Sequence, residues 1–207
     1  MQYITIKGTS SDSFIEKKSE FIGYIAHVET EDEAVRFINE IRARHRKARH
    51  NVYAYRLREA NISRYSDDGE PQGTGGVPVL DVINKSELVD VCVVVTRYFG
   101  GVLLGANGLV RAYSHACKLA ADSAVKQIFC ECAEFCAVTD YNMYSKISFL
   151  LPAYEAKITE ELFEENVKLR FYVKNEQIDA LKKELTDITN GRIQLEIKKD
   201  LWADFAK

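Results

Sequence analysis

What the chain lacks narrows it first. Its opening, MQYITIKGTSSD, has no charged start followed by an apolar core, so no secretory leader is expected and a cytoplasmic location is. The longest aliphatic run, VCVVV at 91–95, falls far short of a membrane span, and no membrane partner is expected. Five cysteines, Cys92, Cys117, Cys130, Cys132 and Cys136, include no Cys-x-x-Cys pair. An odd number of thiols in a chain expected to stay reduced argues against a disulfide framework. In an extended segment Cys130, Cys132 and Cys136 share one face, as small buried apolar residues would. There is no Gly-Lys-Ser/Thr phosphate loop, and no glycine spacing fits a dinucleotide fingerprint. No Ser/His/Asp arrangement can be placed, so no catalytic residue, metal ligand set or cofactor is assigned.

What is present describes an ordinary globular chain of 207 residues, 46% hydrophobic and 29% charged. That length suits two domains of roughly 100 residues. The net charge of -3 is unevenly spread. Residues 1–126 hold 17 Lys/Arg against 16 Asp/Glu, and residues 127–207 hold 11 against 15.

Periodicity supplies the elements. FIGYIAHVE (21–29) reads as a strand, and residues 31–48 as a helix with Ala34, Ile38, Ile41, His45 and Ala48 along one stripe. HNVYAYRL (50–57) favours a strand, VPVLDVINK a short helix, and residues 88–99 a strand buried on both faces. A glycine loop at 100–108 precedes a helix at 109–124. Beyond about 126 the order is strand, helix, two strands, helix and strand. Asn175 is the expected N-cap of the last helix, and Gly191 lies just past its end. The expectation is an α+β chain of two domains, 1–130 and 131–207, the second with the β-α-β-β-α-β order of a ferredoxin-like fold.

Three stretches carry candidate chemistry. From Arg42 to Arg58 there are seven cations, Arg42, Arg44, Arg46, Lys47, Arg49, Arg56 and Arg58, with two histidines and no acid. On a helix continuing to 48, Arg42, Arg46 and Arg49 share a face, with Tyr53 and Tyr55 on the next strand. Guanidinium groups neutralise phosphates and aromatics stack on bases, which points to RNA; a solvated helix end is the plainer alternative. His45, on the apolar stripe, reads as a core histidine.

The second stretch, TRYFGGVLLGANGLVRAY (96–113), sets Gly100 and Gly101 after a strand and Gly105 and Gly108 before a helix. With Arg97 and Arg111 nearby it is a candidate anion site; close strand–helix packing explains the glycines equally. The third, DDGEPQGTGGVPVL (67–80), packs three carboxylates, four glycines and two of the chain's three prolines into one loop. Asp67, Asp68 and Glu70 are candidate hard-cation ligands, and Thr74 is a weak nucleophile without an activator. Ordinary turn chemistry is the alternative.

DDGEPQGTGGVPVL followed by VVVTRYFGGVLLGANGLVRAYSHA resembles the signature of the IMPACT/YigZ family, and KKSEFIGYIAHVETEDEA and HNVYAYRL are similar to its earlier blocks. The resemblance implies an N-terminal domain of the ribosomal protein S5 domain-2-like fold. It implies a C-terminal domain like domain V of elongation factor G, itself ferredoxin-like. It further implies contact with RNA or the ribosome, and a translation-regulatory role with a possible protein partner. The family's eukaryotic members act through an additional N-terminal domain, so that contact is not carried over. The positions shared with the family are Asp67, Asp68, Gly69, Glu70, Pro71, Gly73, Thr74, Pro78, Arg97, Tyr98, Phe99, Gly100, Gly101, Gly105, Gly108 and Leu109. They are expected to form one surface, with the glycine loops meeting near the sheet edge and Arg97 countering the acidic loop. A binding protein for RNA or the ribosome is the first expectation, a protein-only interaction module the second, and a phosphate-handling enzyme the third.

Overall fold

The computed structural model describes residues 1–206. The chain divides into two compact units. One is Tyr3–Gln127; the other runs from Ile128 onward and includes Met1–Gln2.

The first unit carries β1 (Gln2–Ile6), β2 (Thr9–Glu16), β3 (Ser19–His27), α1 (Glu31–Arg44), β4 (His50–Leu57), β5 (Ile62–Ser66), α2 (Gly76–Lys85), β6 (Val91–Tyr98) and α3 (Ala106–Ser123). A five-stranded sheet is ordered β2-β3-β6-β4-β5, with every neighbouring pair antiparallel. Strand β6 lies at its centre and is buried from Val91 to Arg97. Its two faces feed different cores. Val91, Val93 and Val95 join residues of α2 and α3, while Cys92 and Val94 join Ala34, Ile38 and Ile41 of α1. Helices on both faces are why β6 reads as continuous apolar sequence rather than as an alternation. Arg97 extends the Val91–Val93–Val95 row by the two-residue period, so the α3 face of the sheet ends in a cation.

Helix α1 starts on a capping box, with Thr30 accepting from the Glu33 N–H and Glu33 reaching back to the Thr30 N–H. It ends at Arg44, not at 48 as the stripe suggests. His45 leaves helical geometry (φ -111°, ψ 46°). Its ring is held between two hydroxyls, Tyr24 at 2.6 Å from Nε2 and Tyr98 at 2.9 Å from Nδ1. The core histidine is therefore half-buried and polar. Burial, then the neighbouring Arg44, holds its pKa below the ordinary histidine value.

The second unit carries β7 (Lys126–Thr139), α4 (Tyr141–Leu150), β8 (Lys157–Phe163), β9 (Val167–Lys174), α5 (Ile178–Thr189) and β10 (Gln194–Asp204). Within this unit β7 pairs with β10 and with β9, and β9 with β8, each pair antiparallel. Phe135 and Phe171 stack at 5.3 Å in a core closed by Ile147, Leu151, Leu181 and Leu185. On β7 the core face carries Ala133, Phe135 and Ala137, so Cys132 and Cys136 point to the opposite face. Cys130 and Cys132 are buried there and Cys136 is half-buried. All five thiols are free.

Asn175 does not cap α5. It opens a 3-10 turn, Asn175–Gln177, that leads into the helix, and Gln177 makes no side-chain cap. At the other end Asn190 takes the left-handed conformation (φ 50°) and Gly191 follows at φ 71°. No helix among the described residues is long and apolar enough to cross a membrane.

Candidate functional site

The acidic loop is tied down by its own first carboxylate. Asp67 accepts from three backbone N–H groups, Gly73 at 2.9 Å, Gly75 at 2.9 Å and Gly76 at 2.8 Å. These include the first residue of α2, where negative charge is favoured. Burial alone would raise the Asp67 pKa, but the three N–H bonds outweigh it and hold the carboxyl below its ordinary value. Asp68 accepts from Arg42 at 2.6 Å and from the Asn51 N–H at 2.6 Å. Its carbonyl accepts from His50 Nδ1 at 2.9 Å.

Glu70 is buried and accepts from Arg97 at 2.6 Å and from the Tyr113 hydroxyl at 2.7 Å. Burial and the adjacent Glu70 charge drive the Tyr113 phenol pKa far upward, so it stays a neutral donor. The Thr74 hydroxyl donates to the Pro71 carbonyl at 2.7 Å. The three carboxylates and Thr74 are thus bound into the loop and the strands beside it. Among the described residues no group of three or more His, Cys, Asp or Glu side chains is placed to hold a metal.

The second loop leaves the end of β6. The Arg97 guanidinium lies between the rings of Phe21 and Phe99, 5.4 Å from each centroid. Its Nε has no acceptor among the described residues. Gly100 is required by close approach, because a Cβ there would stand 1.9 Å from the Lys18 carbonyl oxygen. Gly105 (φ 72°) turns the chain into α3 and offers no side-chain cap. The first bond of that helix is Leu109 N–H to the Gly105 carbonyl, at 2.9 Å. The N–H groups of the first turn before it therefore lack intrahelical partners.

The loops meet at the end of the central strand, not at the sheet edge. Between them lies a cleft of about 380 Å³. One wall is His50, Glu70 and Pro71, with Arg49 at its mouth, and the other is Phe99, Leu103, Leu104 and the start of α3. Phe99 is 44% exposed and Leu103 81%. A pocket of this size, mostly apolar with a few converging polar groups, suits a small ligand or a single side chain or base.

The basic run does not form the single face expected of it. Arg42 pairs with Asp68 and lies over the Tyr53 ring. Arg44 pairs with Glu40, and Arg58 with Asp90 while covering Tyr3. Arg56 reaches the Leu88 carbonyl at 3.5 Å. Tyr55 is buried and Tyr53 stacks beside it, so neither is open to a base. Because α1 stops at Arg44, Arg46, Lys47 and Arg49 fall on the turn that follows. All three are exposed and make no ion pair among the described residues.

Arg111 is separated from Arg97. It lines another depression, with Phe14, Lys17 and His115. Gly73 and Gly101 sit in the two loops and Gly108 in the first turn of α3, which starts at Ala106 and not at 109, and none has a polar side chain to offer. His50 and Tyr113, absent from the sequence candidates, complete the buried group around Glu70. Tyr113 lies four residues after Leu109 on α3, a spacing that places both on one helix face, and this was the only signal for it.

With this geometry in hand, comparisons with known proteins are specific. The family model described as the Impact N-terminal domain matches residues 17–121, and one described as a domain of unknown function (DUF1949) matches 138–192. The chain is 38% identical to the IMPACT family member YvyE of Bacillus subtilis, covering 92% of this chain and 88% of that one. It is 33% identical to the IMPACT family member YigZ of Escherichia coli, covering 86% and 89%. A Protein IMPACT homolog of Dictyostelium discoideum is 34% identical over 49% of this chain and 30% of its own. A solved structure described only as a hypothetical protein aligns with a TM-score of 0.60 at 30% identity, covering 94% of this chain and 96% of that one.

Proposed function

Because the chain belongs to the IMPACT family, we propose that it is a cytoplasmic binding protein that engages RNA or the ribosome and adjusts translation. The observation that carries this reading is the exposed run Arg46, Lys47 and Arg49, without an ion pair among the described residues, whose Arg49 lines the same cleft as exposed Phe99. Free cations take up phosphates, and an open aromatic ring takes up a base. The other four cations of the stretch are engaged within the fold and support folding rather than the partner. On this reading residues Tyr3–Gln127 are an S5 domain-2-like unit. The second unit is ferredoxin-like, a reading supported by its β10-β7-β9-β8 order with two helices.

A protein partner is the second reading, and it draws on the second unit. There Phe149 is 89% exposed, and Tyr141, Leu162 and Phe163 are also open on α4 and the edge strand β8. The phosphate-handling enzyme draws least, since Asp67, Asp68, Glu70 and Thr74 are all held in structural hydrogen bonds.

The test is co-sedimentation with ribosomes at about 50 and 200 mM salt, using the wild-type chain and the R46E/K47E/R49E variant. Three phosphate contacts make affinity fall about 20- to 40-fold over that range. Pelleting of the wild type at low salt, lost in the variant, is the expected result. Equal pelleting of both proteins, or of neither, overturns the reading.

A further inference from the structure

We propose that the cleft between the two glycine loops is a nucleotide pocket, holding one phosphate at the start of α3 and stacking one base on Phe99. It rests on the RNA reading above only for the source of the nucleotide, a unit of an RNA strand rather than a free monophosphate.

The phosphate end follows from two independent observations. Helix α3 is 18 residues long and begins at the cleft without a side-chain cap, so its first-turn N–H groups and the positive end of its dipole face an open space. Arg97 lines the same cleft, is only 6% exposed, and keeps an Nε donor without an acceptor among the described residues. A buried donor left unmatched is costly, and such a group in a native fold calls for an acceptor. Its Nη1 is already neutralised by Glu70, and that bond holds the guanidinium in place. Arg49 at the cleft mouth adds an exposed charge with no partner of its own among the described residues.

The base end follows from Phe99, which lines the same cleft. One face of Phe99 rests on the Arg97 guanidinium, and nearly half of the residue remains open to solvent. Leu103, Leu104 and Pro71 line the same cleft. The lining is mostly apolar, with an aromatic ring and the proposed anion site within one cleft. That suits a planar base on a short sugar-phosphate better than a branched side chain with a carboxylate. Arg46 and Lys47 precede Arg49 on the same turn, exposed and available to the phosphates of neighbouring nucleotides.

The experiment follows backbone amide NMR shifts of the full chain on addition of the four nucleoside 5′-monophosphates, with inorganic phosphate as control. Saturable shifts at Gly105, Ala106, Asn107 and Gly108 are expected, with the monophosphates binding more tightly than phosphate alone. Phe99→Ala should weaken the monophosphate about tenfold or more while leaving phosphate binding unchanged. Leu103→Asp, at a highly exposed position that cannot disturb the core, should weaken it too. Equal affinity for phosphate and monophosphate, or no shift at these amides, overturns the pocket.

A short RNA separates the sources. If Phe99→Ala weakens RNA and monophosphate alike, the nucleotide belongs to a strand, as proposed. If it weakens only the monophosphate, the strand source is wrong. RNA binding lost in the R46E/K47E/R49E variant but untouched by both cleft variants would sink the pocket and leave the RNA reading standing. A monophosphate bound by a protein that binds no RNA would do the reverse.

Discussion

A single carboxylate does more for this site than the basic run does. Asp67 is a half-buried side chain whose three N–H bonds close the 67–76 loop and fix the start of α2. Asp67→Asn keeps the shape but loses the charge and part of the acceptor set, and should cost about 2–3 kcal/mol in urea unfolding. Its pH signature has a definite sign. The folded carboxyl titrates below its ordinary value, so its stabilisation is complete above the ordinary Asp range and is lost as pH falls through the folded value. The wild type should shed this stability on acidification and the Asn variant should not; parallel acid profiles for the two would show that Asp67 is not the anchor. The sequence showed a crowded, charged turn here but not which carboxylate holds backbone and which holds Arg97. That choice depends on Gly75, Gly76 and Arg97 being brought together by the sheet, over distances no local pattern spans.

At the level of elements, the turn between β2 and β3 is the anomaly. Lys17 and Lys18 both adopt positive φ, 46° and 66°, the two-residue hairpin geometry that favours Asn-Gly. Lys18 also presents its backbone to Gly100, so the hairpin tip and the second glycine loop support one another. The double substitution Lys17→Asn with Lys18→Gly should raise stability by about 1 kcal/mol by relieving two left-handed residues. A fall in the urea midpoint would mean that the lysine side chains contribute contacts outweighing that strain. Strands β4 and β9 were legible residue by residue, because their alternation or β-branched content is strong. Strand β2, TSSDSFIE, was not read as a strand. It is an edge strand exposed over most of its length, so it carries no buried alternation to read. The end of α1 was misread because His45 fits an apolar stripe by spacing, while its polar ring is held by two tyrosine hydroxyls from the sheet.

Across the whole molecule, each unit closes its own hydrophobic core. Phe171→Ala removes a ring fully buried against Phe135 and should cost the second unit about 3–5 kcal/mol. Hydrogen exchange is the measurement: amides of β7 and β9 should lose protection while those of β6, in the other unit's core, keep theirs. Equal loss in both units would mean that they unfold as one. The β-α-β-β-α-β order of the second unit is legible because its elements repeat simple periods. The compact units divide after Gln127, and Met1–Gln2 belongs with the second. No sequence period signals a two-residue segment that joins a unit more than 120 residues away.

The central place of β6 also sets an order of events during synthesis. Phe21 pairs with Arg97 and Val52 with Val95, so β3 and β4 are joined only through a strand made later than either. Until about residue 98 has left the ribosome, the growing chain carries two unjoined hairpin halves with open edges, a state prone to wrong pairing. Threading β6 between them closes the sheet in one late step of high contact order, which makes this domain slow to mature for its size. The residues that then emerge, Phe99 to Gly108, bring the rest of the cleft lining with them, so the cleft is complete only once the sheet is.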